Sequence, residues 1–219
     1  MKTIAIIGAG PGLGLSIAKK FGAEQFNVAL IARSEDKLLS MVNELSSLNI
    51  KSKYYLADLR NLKLLKQVLE TVKIDFGHID VLEFSPYSGP ESFISTLDVT
   101  TENIIDQINY YLLPAIESVQ SVLPSMQKKN AGAILFTTGI SGVHPIPQLG
   151  NAGIVMSGIR NYATNLHNTL KDQGIYVGHL SIGTLIEQGT EGDPDLIADS
   201  WYKQYKTQQF FEDIFPKNN

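Results

Sequence analysis

Thr3-Ile-Ala-Ile-Ile-Gly-Ala-Gly-Pro-Gly-Leu-Gly-Leu-Ser16 is the stretch that decides the reading of this chain. An apolar run, Thr3 to Ile7, meets a glycine-rich turn, and the turn opens directly into Ser16-Ile-Ala-Lys-Lys-Phe21, which reads as a helix start. Strand, glycine turn and helix in this succession make a cradle for a nucleotide phosphate. Glycine lets the backbone come close to a pyrophosphate, whose charge then sits on the exposed N–H groups of the new helix. The common dinucleotide fingerprint G-x-G-x-x-G, begun at Gly8, needs glycine at position 13, where this chain has Leu13; Gly8, Gly12 and Gly14 fit G-x3-G-x-G instead.

Working outward, 219 residues of which 43% are hydrophobic suit one α/β domain over 1–219 with a large core. A formal net charge of −4 provides no basic field for a nucleic-acid backbone or an anionic membrane. The chain has no cysteine, which excludes disulfides, zinc–thiolate sites and thiol nucleophiles and makes a reducing cytoplasm the expected location. The apolar run at the N-terminus is too short for a signal peptide, and no stretch of about twenty apolar residues is present to span a bilayer. His78, His167 and His179 are scattered without metal-ligand spacing, so no metal is expected.

Strand and helix patterns then alternate. Asn27 to Ala32 reads as a buried strand, and Leu38, Leu39, Val42, Leu45 and Leu48 repeat at helical spacing. Lys53 to Leu56 is a third strand, Asn61 to Val72 a helix capped by Asn61, and Ile79 to Phe84 a fourth strand. Ser85 to Pro90 reads as a loop, and Thr101 to Gln127 as one or two long helices containing Pro114. Gly132 to Phe136 is a fifth strand, Leu149 to Leu170 a long helix and Ile175 to Leu180 a sixth strand. This order predicts a doubly wound parallel sheet with a ligand at the carboxyl ends of the strands, between the first and fourth.

With its G-x3-G-x-G turn, the chain resembles the short-chain dehydrogenase/reductase family over nearly its whole length. The resemblance implies an α/β, Rossmann-like doubly wound parallel sheet, a nicotinamide dinucleotide held by Gly8, Gly10, Pro11, Gly12, Leu13 and Gly14, and hydride exchange with a small carbonyl or alcohol. Family members choose NAD or NADP just after the second strand. Here Arg33-Ser34 offers a cation for a 2′-phosphate and no carboxylate for a ribose hydroxyl, so NADP(H) is expected over NAD(H); the other reading of Arg33 is a solvated cap on the sheet edge. Asp58-Leu59 matches the adenine-contacting step, or Asp58 starts a turn. Ser85-Pro86 stands in the family's asparagine-rich turn, and Ile182-Gly183 in its P-G turn. Asn109 lies where the family keeps a catalytic asparagine; a plain helix amide is the other reading.

The family's serine, tyrosine and lysine fall on Gly139, Ala152 and Met156, so the conventional proton machinery is expected to be absent. The one Y-x3-K in the chain, Tyr202 to Lys206, stands far downstream on an expected C-terminal helix and is read as a chance match. Glu83 and Glu187 are candidate replacement acids, and Tyr87, Thr138, Ser141 and His144 are read as loop donors at the same sheet edge. A strand-forming V-D-G-G tail is missing, with Phe210 to Phe215 in its place. Two functions follow: an atypical NADP(H)-dependent oxidoreductase, or a nucleotide-binding sensor or interaction protein without turnover. The family's habit of pairing its long helices, together with small residues Gly150, Ala152, Gly153, Ser157 and Gly158, implies a homodimer or homotetramer.

Overall fold

The computed structural model describes residues 1–217. Seven strands, β1 (Thr3–Ile7), β2 (Asn27–Ala32), β3 (Ser52–Leu56), β4 (Val81–Phe84), β5 (Gly132–Gly139), β6 (Ile175–Ile182) and β7 (Glu212–Phe215), form one sheet in the order β3-β2-β1-β4-β5-β6-β7. Every pairing is parallel. Helices cover both faces, which is why β1 reads as an unbroken apolar run rather than an alternation. Ala5 and Ile7 point into one core while Ile4 and Ile6 point into the other.

On the first face pack α3 (Leu62–Phe76), α5 (Leu113–Lys129) and α6 (Gly150–Leu170), through Leu65, Leu69, Val119, Val155 and Ile159 among others. On the second pack α1 (Leu13–Ala23), α2 (Glu35–Ser47) and α7 (Pro194–Thr207), through Ile17, Phe21, Leu38, Leu45, Ile197 and Trp201. Asn61 caps α3 by accepting from Leu64 N–H, as its sequence position implies. The expected long helix over 101–127 runs in three continuous segments, α4 (Thr101–Gln107), a π-helical turn Ile108–Leu112, and α5, whose Pro114 has no N–H to give to the turn before it.

The tail corrects the sequence reading. Phe210 to Phe215 does not lack strand character, because Glu212–Phe215 is β7 and extends the sheet beyond β6. Its pairing is long-range, and its polar pair Glu212-Asp213 hides the pattern that a buried strand shows. β5 and β6 also run further than expected, to Gly139 and Ile182, so Thr138 lies within a strand rather than on a loop.

Candidate functional site

The strand order reverses between β1 and β4, and the glycine turn sits at their carboxyl ends. Gly8 has φ +84°, a conformation that favours glycine, and a β-carbon there would collide with Pro86. The 85–98 loop therefore lies directly on the turn, fixed at its start by Ser85 N–H donating to Ile7 O at 3.0 Å. A β-carbon on Gly14 would come within 2.9 Å of Ala9 Cα, so Gly14 allows close packing of α1 on the turn. Gly10 and Gly12, by contrast, face open space. No side chain caps α1 and its first turn holds no acid, which leaves a positive helix end beside that space. Pro11 and Gly12 are exposed and Leu13 half-buried.

Arg33 and Ser34 are exposed just past β2. The Arg33 guanidinium lies 5.5 Å from the centroid of the Tyr110 ring, and that of Arg60 lies 4.7 Å from it. Arg60 is committed to a bidentate pair with Asp106, whereas Arg33 has no ion-pair partner among the described residues. Asp58 starts the turn after β3, its Oδ1 accepting from Arg60 N–H at 3.0 Å, and is exposed; Leu59 is buried.

Sequence reasoning missed the side chains that hold the loop. Tyr110 O–H donates to Tyr87 O at 3.2 Å, and Tyr111 Oη meets Ser88 N–H at 2.9 Å and Ser88 Oγ at 2.7 Å. Burial pushes the Tyr111 hydroxyl up to about 12, so it stays protonated. Asn151, fully buried on α6, accepts from Ile94 N–H at 2.8 Å and donates to Ser92 O at 2.9 Å. Two adjacent tyrosines in a π-helical turn were the available signal. Asn109 occupies that same turn and is half-buried.

Gly139 ends β5, and Ala152 and Met156 are both buried on α6. A β-carbon on Gly142 would press to 3.0 Å against Met156, so this part of α6 is packed. The other candidates do not converge. Tyr87, His144 and Glu187 are exposed on separate loops, and Ser141 is buried in a 3₁₀ turn. Thr138 is buried in a chain in which its Oγ1 meets His179 Nε2 at 2.8 Å, His179 Nδ1 meets Glu212 Oε1 at 2.8 Å, and Arg160 grips Glu212 through two bonds. Desolvation lowers the His179 pKa and keeps the ring neutral; Arg160 chiefly, with His179, lowers that of Glu212.

Glu83 is wholly buried in β4. Ser85 Oγ lies 2.8 Å from its Oε2, Thr137 Oγ1 lies 2.9 Å from its Oε1, and Trp201 Nε1–H donates to Thr137 Oγ1 at 2.8 Å. Desolvation pushes the Glu83 carboxyl up to about 8, the hydroxyl contacts offsetting only part of the effect. Gly183 follows β6 with its N–H donating to Phe215 O at 2.7 Å. Tyr202 and Lys206 lie on α7, with Tyr202 O–H bonded to Glu24, away from the glycine turn. Among the described residues, no three His, Asp or Glu side chains assemble as a metal site, and no helix is long and apolar enough to cross a membrane.

Comparison with known proteins agrees with this geometry. The chain is 26% identical over 222 residues to a 3-oxoacyl-[acyl-carrier-protein] reductase FabG of Staphylococcus epidermidis, covering 97% of this chain and 86% of that protein. It superposes on a metagenomic short-chain oxidoreductase in complex with NADP with a TM-score of 0.87 at 20% identity, covering 100% of this chain and 98% of that one. A 3-oxoacyl-[acyl-carrier protein] reductase with bound NAD from Brucella melitensis matches with a TM-score of 0.81 at 16% identity, over 92% and 82% of the two chains. The short chain dehydrogenase family matches residues 2–190, and this chain belongs to that family of oxidoreductases.

Proposed function

We propose that the protein is an NADP(H)-dependent oxidoreductase acting on a small carbonyl or alcohol, with a proton donor other than the family's tyrosine. The observation that carries the choice of cofactor is Arg33, a cation at the end of β2 beside the Tyr110 ring, without an acidic partner among the described residues. A charge-assisted bond from it suits a 2′-phosphate, and the open space at Gly10 and Gly12 before an uncapped helix suits a pyrophosphate. Gly8 to Gly14 would hold that pyrophosphate, Arg33 and Ser34 the 2′-phosphate, Asp58 and Leu59 the adenine, and Ser85, Pro86 and Gly183 the remainder. Once bound, the nicotinamide supplies or accepts the hydride.

The second reading is a nucleotide-binding sensor or interaction protein without turnover. It is favoured by Gly139, Ala152 and Met156, which bring no ionisable group to the positions where the family keeps its proton machinery. The test is NADPH oxidation across a panel of small ketones and aldehydes. Turnover supports the oxidoreductase: rates ordinary for the family mean that another side chain replaces the tyrosine, and rates about 10²–10⁴-fold lower, the usual worth of general acid catalysis, mean that water supplies the proton. NADPH binding without turnover across the panel decides for the sensor.

A further inference from the structure

Glu83 is the one carboxylate wholly buried among the described residues. It faces the core between the sheet and helices α1 and α7, flanked in register by Ile6 of β1 and Leu135 of β5. Among the described residues, no other charged group is buried in this core. Lys19 and Lys20 of α1 are bridged at the surface to Glu44 and Asp199, and Asp195, Lys203 and Lys206 of α7 are exposed. The titratable Tyr176, Tyr202 and Tyr205 bond elsewhere, to Phe210 O, Glu24 and Lys2.

The hydrogen bonds fix where the acid proton sits. Trp201 donates to Thr137, so the Thr137 hydroxyl is free to donate to Glu83 Oε1, and the proton of a neutral Glu83 belongs on Oε2, facing Ser85. Donating from there to Ser85 Oγ, it leaves the Ser85 hydrogen free for a dinucleotide bound at the turn, beside which Ser85 is anchored by its N–H to Ile7 O and Pro86 packs on Gly8. Once Glu83 ionises, Ser85 must turn its hydrogen back to Oε2, and a negative charge appears beneath the cradle.

We infer that Glu83 is a positioning residue for the dinucleotide, acting through Ser85, and that only its protonated form grips the cofactor. The inference rests on the nucleotide-binding reading above. By linkage, bound nucleotide in turn holds the proton on Glu83.

The chain's single tryptophan is the reporter, two hydrogen bonds from the carboxyl. Trp201 emission is followed from pH 7 to 9.5 without nucleotide, and NADPH affinity is measured by calorimetry over the same range, for the unmutated protein, Glu83→Gln and Ser85→Ala. The expected results are an emission midpoint near 8 that Glu83→Gln abolishes, and a Kd that weakens about tenfold between pH 7 and 9 in the unmutated protein only. Ser85→Ala should keep an emission transition, moved upward because the hydroxyl that favours the carboxylate is gone, while flattening the Kd profile. A Kd profile that is unchanged in Glu83→Gln, or flat in the unmutated protein, overturns the inference alone. Absence of NADPH binding at every pH overturns the nucleotide-binding reading together with it.

Discussion

The guanidinium of Arg33 rests 5.5 Å from the centre of the Tyr110 ring, the contact that ties the end of β2 to the π-helical turn before α5. The ring holds a flexible cation in place without neutralising it, as a carboxylate would. Exposed cation–π contacts contribute about 0.5–1 kcal/mol, so Tyr110→Ala should reduce the preference for NADPH over NADH about two- to fivefold. Tyr110→Phe keeps the ring, loses only the bond to Tyr87 O, and should keep the preference. Paired calorimetric titrations of both variants check this.

The glycines of the turn separate folding from binding. Gly8→Ala meets Pro86 in a strained backbone, and Gly14→Val meets Ala9, so each should lower stability by about 1–3 kcal/mol in urea melts. Gly12→Val points into open space and should melt within about 1 kcal/mol of the unmutated protein while losing most of its nucleotide affinity.

Glu83 makes stability depend on pH in an unusual direction. In the unfolded chain it loses its proton near 4.5, whereas in the fold it keeps it up to about 8. Over that window the folded state binds the extra proton, so this group's contribution falls as pH rises, by up to about 1.4 kcal/mol per unit. Glu83→Gln removes the slope and should therefore be more stable than the unmutated protein at pH 7.5, with the gap closing toward pH 4.5. Denaturant melts at the two pH values measure it.

The His179–Glu212 chain works from the acid side. His179, held neutral by burial, opposes the proton that the unfolded chain accepts below about 6.5, so stability is lost as pH falls through that value. Glu212, held low by Arg160, adds stability that is present above its unfolded value of 4.5 and lost below it. Because Glu83 pulls the other way over this range, the effect is read in the Glu83→Gln background: there melting temperature should drop from pH 7 to 5, and adding His179→Gln should flatten the part between about 6.5 and 5.5.

The helix-paired dimer remains a proposal, and the small residues named for it are largely used within the chain. A β-carbon on Gly150 would reach 2.5 Å from Thr96, Ala152 is buried, and Gly158 faces Leu112. The exposed Ile105, Leu113 and Ile154 on α4, α5 and α6 are the better candidates to pair. Light scattering should give a dimer or tetramer that Ile154→Lys converts to monomer.

The elements most legible in the sequence were those whose own residues state their surroundings. β1, β2 and β4 are apolar runs because both faces are covered, and Asn61 marks the start of α3 because a helix end needs an acceptor. β7 was not legible, since Glu212 makes sense in a strand only when Arg160 and His179, remote in sequence, are already beside it. Glu83 stood out as one acid in an apolar strand, but its partner Thr137 is 54 residues away, and no local pattern connects it to Thr137 or to the Trp201 that donates to Thr137. The loop over the cradle is held by Tyr111 and Asn151 through two long-range hydrogen bonds each, which leave no periodic trace.

The central claim, that this cradle is built for NADP(H), is tested most directly by calorimetric titration of the unmutated protein with NADPH and with NADH, repeated on Arg33→Ala. A charge-assisted contact to the 2′-phosphate contributes about 1.5–3 kcal/mol, so NADPH should bind at least about tenfold more tightly, and the substitution should erase the difference while leaving NADH affinity unchanged. Equal affinities in the unmutated protein, or a ratio that Arg33→Ala does not alter, would contradict the account.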